Sequence, residues 1–219
     1  NVDVFAQQTY SINDKVEFYV SSNGGNATYV LESLSSKKEE QLYESANKLR
    51  ILTFYIKEDG VHKLYCTDEK LCLGRVIRTP ADYVNVSGAV TAPASIPADY
   101  KLRFVNKTTG HTVDVTPEEG AYVASLAKGF EYEVFVADNN TFVVKSGDVN
   151  VTGALENQNV EIEAITLFEQ TGKINGLSPE ALAKLSFSIT LPEGKVYEPK
   201  VIIDTYNKIY SVYLESGVE

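Results

Sequence analysis

Hydrophobic and polar residues alternate along much of this chain, in the pattern of half-buried β-strands. The clearest run covers residues 159–165, where Val160, Ile162 and Ala164 fall on one face and glutamates on the other. The same alternation recurs in residues 15–20, 112–115 and 131–136. Turn signals such as Asn23-Gly24-Gly25 separate the runs at short intervals. This spacing predicts an all-β fold of small sandwiches rather than a βαβ fold.

Two stretches depart from the strand pattern. Residues 34–49 are rich in Ser, Lys and Glu, which predicts a helical turn or a mobile loop. Ser178 is a plausible N-cap with Pro179 at the first helical position. Because the strand-like run 185–189 follows closely, we expect a single short turn of helix within residues 178–184.

Three blocks of sequence recur in the same order at offsets of 83 to 88 residues. The blocks are 86–90 with 170–174, 101–104 with 184–187, and 122–129 with 210–217. The alternative explanation of these similarities is that all strands resemble one another in sequence. The repeat predicts tandem β-sandwich modules at residues 1–83, 84–166 and 167–219, joined by short linkers at 80–82 and 164–166. The last copy stops where its closing strands should begin, so we expect an incomplete module and a larger parent protein.

The net charge of −10 argues against nucleic acid and anionic membrane surfaces as partners. The longest apolar runs are far shorter than the roughly 18 residues needed to span a bilayer. Hydrophobic residues make up 43% of the chain, which is ordinary for a globular protein. No signal peptide is visible at Asn1, although one could have been removed before this numbering begins.

The two cysteines, Cys66 and Cys72, are separated by five residues, which suits a small disulfide loop across a turn. Two free thiols are the alternative, and the His or Cys partners of a zinc site are missing nearby. A disulfide implies an oxidising compartment, hence a secreted or cell-surface protein. Asn-x-Ser/Thr sequons are compatible with secretion and lie at Asn26, Asn85, Asn106, Asn139 and Asn150.

The repeat also carries a family resemblance. The motif residues are Gly88-Ala89-Val90, Leu102-x-Phe104, Glu119-Gly120-Ala121-Tyr122 and Leu126-x-x-Gly129-x-x-Tyr132-x-Val134. They resemble the carboxypeptidase regulatory-like and collagen-adhesin B-type modules over residues 84–165, and in part over 168–219. The resemblance implies prealbumin-like β-sandwiches, arranged as tandem repeats in secreted and surface proteins. Residues 1–83 look loosely immunoglobulin-like, but have no Trp and no long cysteine spacing.

Collagen-adhesin relatives often contain an internal Lys–Asn isopeptide bond, so the resemblance points to Lys101 and Lys184, which share a repeat column. Strand alternation argues against such a bond, because Lys101 should face out if Leu102 and Phe104 face the core.

The remaining chemical candidates have plain structural interpretations. We expect His62 and His111 to lie on strand edges at the surface, and the paired acids Glu39-Glu40 and Glu118-Glu119 to be solvated. The loops 138–140 and 148–150 could offer oxygen ligands to calcium, but lack EF-hand spacing. The sequence therefore predicts no catalytic, cofactor-binding or metal site.

Two functions remain open. The favoured prediction is a non-catalytic set of spacer or interaction modules in a larger secreted or cell-surface protein, with protein or glycan partners possible. The alternative is a ligand-binding accessory module of an extracellular enzyme, with residues 1–83 binding a carbohydrate. The irregular segment 35–48 and the abundance of Tyr favour this alternative. These tyrosines are Tyr19, Tyr29, Tyr43, Tyr55 and Tyr65 in residues 1–83, with a further cluster at Tyr206, Tyr210 and Tyr213.

Overall fold

The all-β class is confirmed in a computed structural model of the chain. The described residues are 3–22, 27–44, 50–66, 72–139, 141–145, 148–165, 167–182, 184–186, 189–190, 196–197 and 200–215. Within these ranges almost all regular structure is strand, and the helix is a single turn. Within the same ranges, no helix has the length and apolar character to cross a membrane.

The first seven strands form two antiparallel sheets that we call the N-terminal sandwich. The strands are β1 (Asp3–Tyr10), β2 (Lys15–Ser22), β3 (Ala27–Ser33), β4 (Glu39–Glu44), β5 (Arg50–Tyr55), β6 (Gly60–Cys66) and β7 (Cys72–Thr79). One sheet has the order β1-β6-β3-β4 and the other the order β5-β2-β7. Both sheets contribute to one core, in which Phe18 of β2 meets Tyr29 of β3 edge to face at 5.3 Å. Burying side chains of this size contributes roughly 1.5–3 kcal/mol each.

The next eight strands form a second pair of sheets, the central sandwich. They are β8 (Tyr83–Thr91), β9 (Leu102–Asn106), β10 (Thr112–Val115), β11 (Ala121–Ala127), β12 (Glu131–Val136), β13 (Phe142–Val144), β14 (Val149–Asn150) and β15 (Val160–Ala164). The sheets have the orders β10-β9-β12-β14 and β11-β8-β15-β13. The predicted alternation is confirmed in β12, where Tyr132, Val134 and Val136 are buried between exposed neighbours. A separate core fills this sandwich.

The last part of the chain contains a three-stranded sheet and a short hairpin. After β16 (Leu167–Lys173) come α1 (Pro179–Leu182), β17 (Ile189–Thr190), β18 (Val196–Tyr197), β19 (Lys200–Asp204) and β20 (Ile209–Glu215). The sheet has the order β16-β20-β19, and β17 pairs with β18. The predicted turn of helix is confirmed as α1, with the amide of Ala181 donating to Ser178 Oγ at 3.3 Å. Of the predicted strand 185–189, residues 187–188 lie outside the described residues.

Two strand pairs of the chain share one register. In the central sandwich β8 pairs antiparallel with β11, and Gly88 lies opposite Tyr122. In the C-terminal sheet β16 pairs antiparallel with β20, and Gly172 lies opposite Tyr210. The first repeated block, 86–90 with 170–174, therefore supplies the Gly of each cross-strand pair, and the third, 122–129 with 210–217, supplies the Tyr.

The prediction of a helical turn or loop in residues 34–49 is wrong for residues 39–44, which form a strand, whereas residues 34–38 are a turn and a short loop. A turn at 34–36 leads into β4, which pairs antiparallel with β3 from Ala27↔Glu44 to Glu32↔Glu39. The local sequence is polar because β4 is the edge strand of its sheet, where charged residues are common. Residues 45–49 lie outside the described residues.

Candidate functional site

The turn between β1 and β2 contains two buried polar residues, Asn13 and Asp14, which are only 1% and 2% exposed. Asn13 has a φ of 70°, a left-handed conformation that Asn tolerates better than most residues. Its amide donates to the carbonyl of Ile56 at 2.8 Å, and the amide of Ile56 donates to the carbonyl of Asp14 at 2.9 Å. The backbone of this turn is therefore fixed to the N-terminal sandwich.

The carboxylate of Asp14 fixes the connection between the two sandwiches. Arg78, near the end of β7, donates to Asp14 from Nε at 2.8 Å and from Nη2 at 2.7 Å. The amide of Ser11 donates at 2.9 Å, and the amide of Ala81, in the predicted linker, donates at 3.1 Å. A buried carboxylate needs such a set of donors, because desolvation without partners is costly. Three residues separate β7 from β8, and one of them, Ala81, is hydrogen-bonded to Asp14.

The side chain of Asn13 reaches across to the central sandwich. Its Oδ1 accepts hydrogen bonds from Asn106 Nδ2 at 3.1 Å and from the Thr109 hydroxyl at 2.6 Å. Its Nδ2 donates to the Tyr83 hydroxyl at 3.2 Å and lies 3.3 Å from Nδ1 of His111. Because an amide NH₂ can only donate, Nδ1 of His111 is the acceptor. One asparagine side chain thus bonds four side chains of the central sandwich.

Asn106 is also fixed by hydrogen bonds within the central sandwich. It is fully buried at the end of β9, and its Oδ1 accepts from the amides of Thr108 at 2.9 Å and Thr109 at 3.2 Å. The sequence predicted a glycosylation sequon here, but this carboxamide is engaged within the fold. Of the other sequons, Asn85 and Asn150 are exposed and Asn139 is half-buried, whereas Asn26 lies outside the described residues.

An apolar contact accompanies the polar network. The Tyr55 ring at the end of β5 meets the Phe130 ring edge to face at 4.8 Å. Tyr55 and Ala81 both pack against the core of the central sandwich. We call this set of contacts the junction; it comprises Asn13, Asp14, Tyr55, Arg78, Ala81, Tyr83, Asn106, Thr109, His111 and Phe130. It combines packing, which gives energy, with directional hydrogen bonds, which fix an orientation.

A cleft of about 430 Å³ opens beside the junction. Its lining residues are Leu31, Ser33, Lys38, Glu39, Tyr55, Lys57, Glu58, His62 and Thr109. The hydroxyl of Ser33 donates to Glu58 Oε1. Hydrogen bonds from Ser33 and then Ser36 hold the pKa of Glu58 below its usual range, with Lys38 and His62 acting in the same direction. Glu58 therefore carries a negative charge at the wall of the cleft at neutral pH.

The prediction that His62 lies at the surface is wrong. It is 3% exposed in β6, which has a strand on each side, and the Tyr10 ring stands edge-on to it at 5.8 Å. Its Nδ1 lies 3.1 Å from the carbonyl of Gly60, which can only accept, so Nδ1 donates. The sequence missed this burial because Tyr10, whose ring packs edge-on against His62, lies in a different strand, far away along the chain. His111, predicted to lie at the surface as well, is half-buried in the junction.

Ser33, Glu58 and His62 are the residue types of a nucleophilic triad, but their bonds differ from it. A triad needs the histidine to accept the serine proton and the acid to orient the histidine. Here the serine donates to the acid and the histidine donates to a backbone carbonyl. The cleft wall is therefore a hydrogen-bonding surface with an ordered serine–carboxylate pair.

The other sequence candidates lie apart from this site. Lys101 and Lys184 are exposed, as predicted for Lys101. Asp138 of the first calcium candidate loop pairs with Arg103, and Asp148 of the second pairs with Lys107. Across the described residues, no cluster of three His, Cys, Asp or Glu side chains could hold a metal ion.

The predicted paired acids and disulfide are only partly described. Glu118 and Glu119 are exposed, and Glu39 is exposed and accepts a hydrogen bond from the Tyr65 hydroxyl at 3.2 Å. Cys66 is buried at the end of β6. The side chains of Glu40 and Cys72 lie outside the described residues, so the disulfide stays a prediction.

The tyrosines serve different purposes along the chain. Tyr29 is a core residue, Tyr55 belongs to the junction, and Tyr206 stands 91% exposed in the turn before β20. A platform of adjacent exposed rings would be needed to stack sugars. The exposed Tyr206 lies in the turn between β19 and β20, whereas the half-buried Tyr65 lies in β6 of another sheet.

No protein-family model matches this chain, and a search of curated proteins finds no relative.

Proposed function

We propose that the chain is a non-catalytic spacer and interaction segment of a larger secreted or cell-surface protein. In this proposal residues 1–83 and 84–166 are separate β-sandwich modules held at one fixed angle. The observation that carries it is the Asn13 side chain, buried at the junction with four hydrogen-bonding partners across it. A spacer can hold a functional domain at a distance only if its joints resist bending.

The rigidity follows from the cost of opening the junction. Each neutral hydrogen bond contributes about 1 kcal/mol net, and a buried polar group left without a partner costs about 1–3 kcal/mol. A small rotation would break several Asn13 bonds at once before water could replace them. The Tyr55–Phe130 contact adds about 0.5–1.5 kcal/mol beyond the area that it buries. The net charge of −10 keeps such an array soluble.

We propose further that residues 167–219 are a second copy of the central repeat. The matching Gly–Tyr cross-strand pairs, Gly88↔Tyr122 and Gly172↔Tyr210, support this proposal. Two antiparallel hairpins at comparable places, β9–β10 and β17–β18, add to the support. A tandem array is the arrangement expected of a spacer, because each repeat adds a similar length.

The experiment compares Asn13→Gly with Asn157→Gly in the full chain. Both asparagines have left-handed backbones, with φ of 70° and 59°, so Gly fits either position without strain. Only Asn13 is at the junction, since Asn157 is exposed. Residual dipolar couplings of the two sandwiches should fit one alignment tensor in the wild type and in Asn157→Gly. They should need two tensors in Asn13→Gly, with each sandwich still folded. Two tensors already in the wild type would rule out a fixed angle.

We also propose that Cys66 and Cys72 form a disulfide. Cys66 ends β6 in one sheet of the N-terminal sandwich, and Cys72 begins β7 in the other sheet, so the bond would join the two sheets at this end. Loop-closure entropy for a ring of about seven residues corresponds to roughly 2.4 kcal/mol. We expect a reductant to lower the unfolding midpoint of the wild type and to leave a Cys66→Ser/Cys72→Ser variant unchanged. An equal effect on both would contradict the disulfide.

The second candidate function is ligand binding by the cleft beside the junction, and the ordered Ser33–Glu58 pair favours it. The mixture of lysines, glutamates and a serine suits a ligand rich in hydroxyl groups, such as a glycan. A glycan array probed with the full chain tests this function. Saturable binding that is lost in Glu58→Gln and kept in Glu133→Gln, an exposed position outside the cleft, would support it. No binding in any variant would leave the spacer as the better proposal.

A further inference from the structure

The strand β8 is bordered by chain on both sides. On one side lies β11, and on the other the segment 155–161 runs parallel to β8. The amide of Leu155 donates to Asn85 O at 3.0 Å, the amide of Ser87 to Leu155 O at 2.9 Å, and the amide of Gln158 to Ser87 O at 2.9 Å. The segment continues as β15, which pairs with β8 at Val160↔Val90. The central sandwich therefore fills this edge of β8 with its own chain.

Gly88 allows the backbone of the segment 155–161 to pass close to β8. A Cβ at Gly88 would lie 2.1 Å from the carbonyl oxygen of Gln158, where no side chain fits. Tyr122, the cross-strand partner of Gly88, donates its hydroxyl to that same carbonyl oxygen at 2.7 Å. The Gly–Tyr pair thus forms a binding position for one peptide unit of a parallel strand, which we call the seat. The glycine leaves space for the peptide unit, and the tyrosine hydroxyl donates a hydrogen bond to it.

The C-terminal sheet contains the same pair with a different occupant of the space. In its described part, β16 lies at the edge of the sheet, with β20 as its neighbour. A Cβ at Gly172 would lie 2.4 Å from the hydroxyl oxygen of Tyr210 and 2.5 Å from its Cζ. The tyrosine ring itself therefore lies over the glycine, in the space that a peptide unit takes at Gly88.

Exposure along β16 agrees with an outer edge that no other described strand pairs with. Phe168, Glu169, Gln170 and Thr171 are all exposed, whereas the equivalent strand β8 contains the fully buried Val86. An unpaired strand edge is a template for another strand, because its backbone donors and acceptors face outward.

We propose that the outer edge of β16, centred on the Gly172–Tyr210 pair, docks an extended peptide strand in parallel orientation. The partner is a polypeptide segment of the same kind as residues 155–161, in which four polar residues lie between the apolar Leu155 and Val160. Its backbone crosses Gly172 closely, and one of its carbonyl oxygens accepts the hydroxyl proton of Tyr210 after the ring moves off the glycine. This surface is separate from the junction, and its test is independent of whether the junction is rigid.

The probe is a fluorescein-labelled synthetic peptide with the sequence of residues 155–164, titrated into the full chain. We expect a saturable rise in anisotropy that a scrambled peptide does not give. Amide NMR shifts should change in β16 and β20, whereas β8 should be unaffected because its edge is already filled from within the same chain. An absence of saturable binding, or shift changes confined to the central sandwich, would overturn the proposal.

Two variants and one control define the seat. Gly172→Val fills the space with a β-branched side chain that strands tolerate, and should weaken binding at least about tenfold. Tyr210→Phe removes one donor worth about 1 kcal/mol and should weaken binding about fivefold. The control, Thr171→Val, changes a neighbouring exposed residue that points to the other face, and should bind like the wild type. Equal affinity in Gly172→Val and Thr171→Val would overturn the proposal. Dimerisation of the peptide-free chain that is lost in Gly172→Val would overturn it too, by assigning the edge to a second copy.

Discussion

Gly88→Ala tests the close backbone crossing in the central sandwich. The added Cβ would lie 2.1 Å from Gln158 O and 2.4 Å from its carbonyl carbon. Ordinary contact begins at 3.4 Å, so the segment must move away by about 1.3 Å. Both obstructing atoms belong to the backbone of a paired strand and cannot rotate aside. The substitution therefore has to separate β8 from the segment 155–161.

The cost follows from the hydrogen bonds at this position. A displacement of that size breaks the bond from Gln158 N to Ser87 O and the bond from the Tyr122 hydroxyl to Gln158 O. It also breaks the bond from Ala89 N to Asn159 Oδ1. At about 1 kcal/mol each these bonds contribute about 3 kcal/mol. Replacing Gly by Ala also stabilises the fold by about 0.5–1 kcal/mol, because Ala has a better strand propensity and a lower unfolded-state entropy. We expect a net loss of about 2 kcal/mol.

Urea unfolding measures the stability. Hydrogen exchange of the β8 and β15 amides then reports on the central sandwich separately from the rest of the chain. Two glycines serve as controls. Gly153→Ala meets nothing within 4 Å and should change stability by no more than about 0.5 kcal/mol. At Gly172 the obstruction is the end of the Tyr210 ring, which can swing away, so Gly172→Ala should cost less than about 1 kcal/mol. Equal effects at Gly88 and Gly153 would refute the reasoning.

Three further predictions test the junction and the core. Asp14→Asn should destabilise the N-terminal sandwich by about 2–4 kcal/mol in urea unfolding, because Arg78 and the amides of Ser11 and Ala81 lose a charged acceptor; the exposed Asp138→Asn is the control. Burial raises the pKa of Tyr122 to about 12 from 10.0, so the neutral phenol stabilises the fold fully below pH 10 and loses this contribution as the pH rises towards 12. Circular dichroism with tyrosinate absorbance should show this loss, and Tyr122→Phe should lose less stability over that interval. Expression in a glycosylating secretory host should leave Asn106 unmodified in peptide mapping, while the exposed Asn85 and Asn150 are accessible; a glycan on Asn106 in the folded protein would contradict the buried junction.

The strands that could be predicted from the sequence are those whose own residues show which face is buried. In β12 and β15 the alternation of apolar and charged residues selects the buried face without reference to any partner. The turn of helix at Pro179 has its capping serine adjacent, so it too was predictable. By contrast β4 was missed, because its sequence places Leu42 and Tyr43 side by side among polar residues instead of alternating, and this edge strand is held by its hydrogen bonds to β3.

The junction could not be predicted, because its partners are far apart in sequence. Asn13 and Asn106 are separated by 93 residues, and each has a local interpretation that accounts for it completely. Asn13 follows a strand and precedes Asp14, which is the composition of an ordinary turn. Asn106 reads as a sequon. The one available signal was the run Asn13-Asp14 between two strands, which marks a turn but does not reveal that its side chains are buried.

In the junction, the charged contacts lie within the N-terminal sandwich, whereas the contacts that set the orientation of the two sandwiches are between neutral groups. The buried carboxylate of Asp14 is neutralised by Arg78, from β7 of the same sandwich, so its charge needs no counter-ion from the other side. The side chains that face each other across the junction are amides, hydroxyls, an imidazole and aromatic rings. Neutral groups are cheaper to bury than charges, and an amide can both donate and accept, so one Asn satisfies several partners in a single geometry. Because salt screens charges but leaves neutral hydrogen bonds largely unaffected, the angle between the sandwiches should be the same at low and high ionic strength.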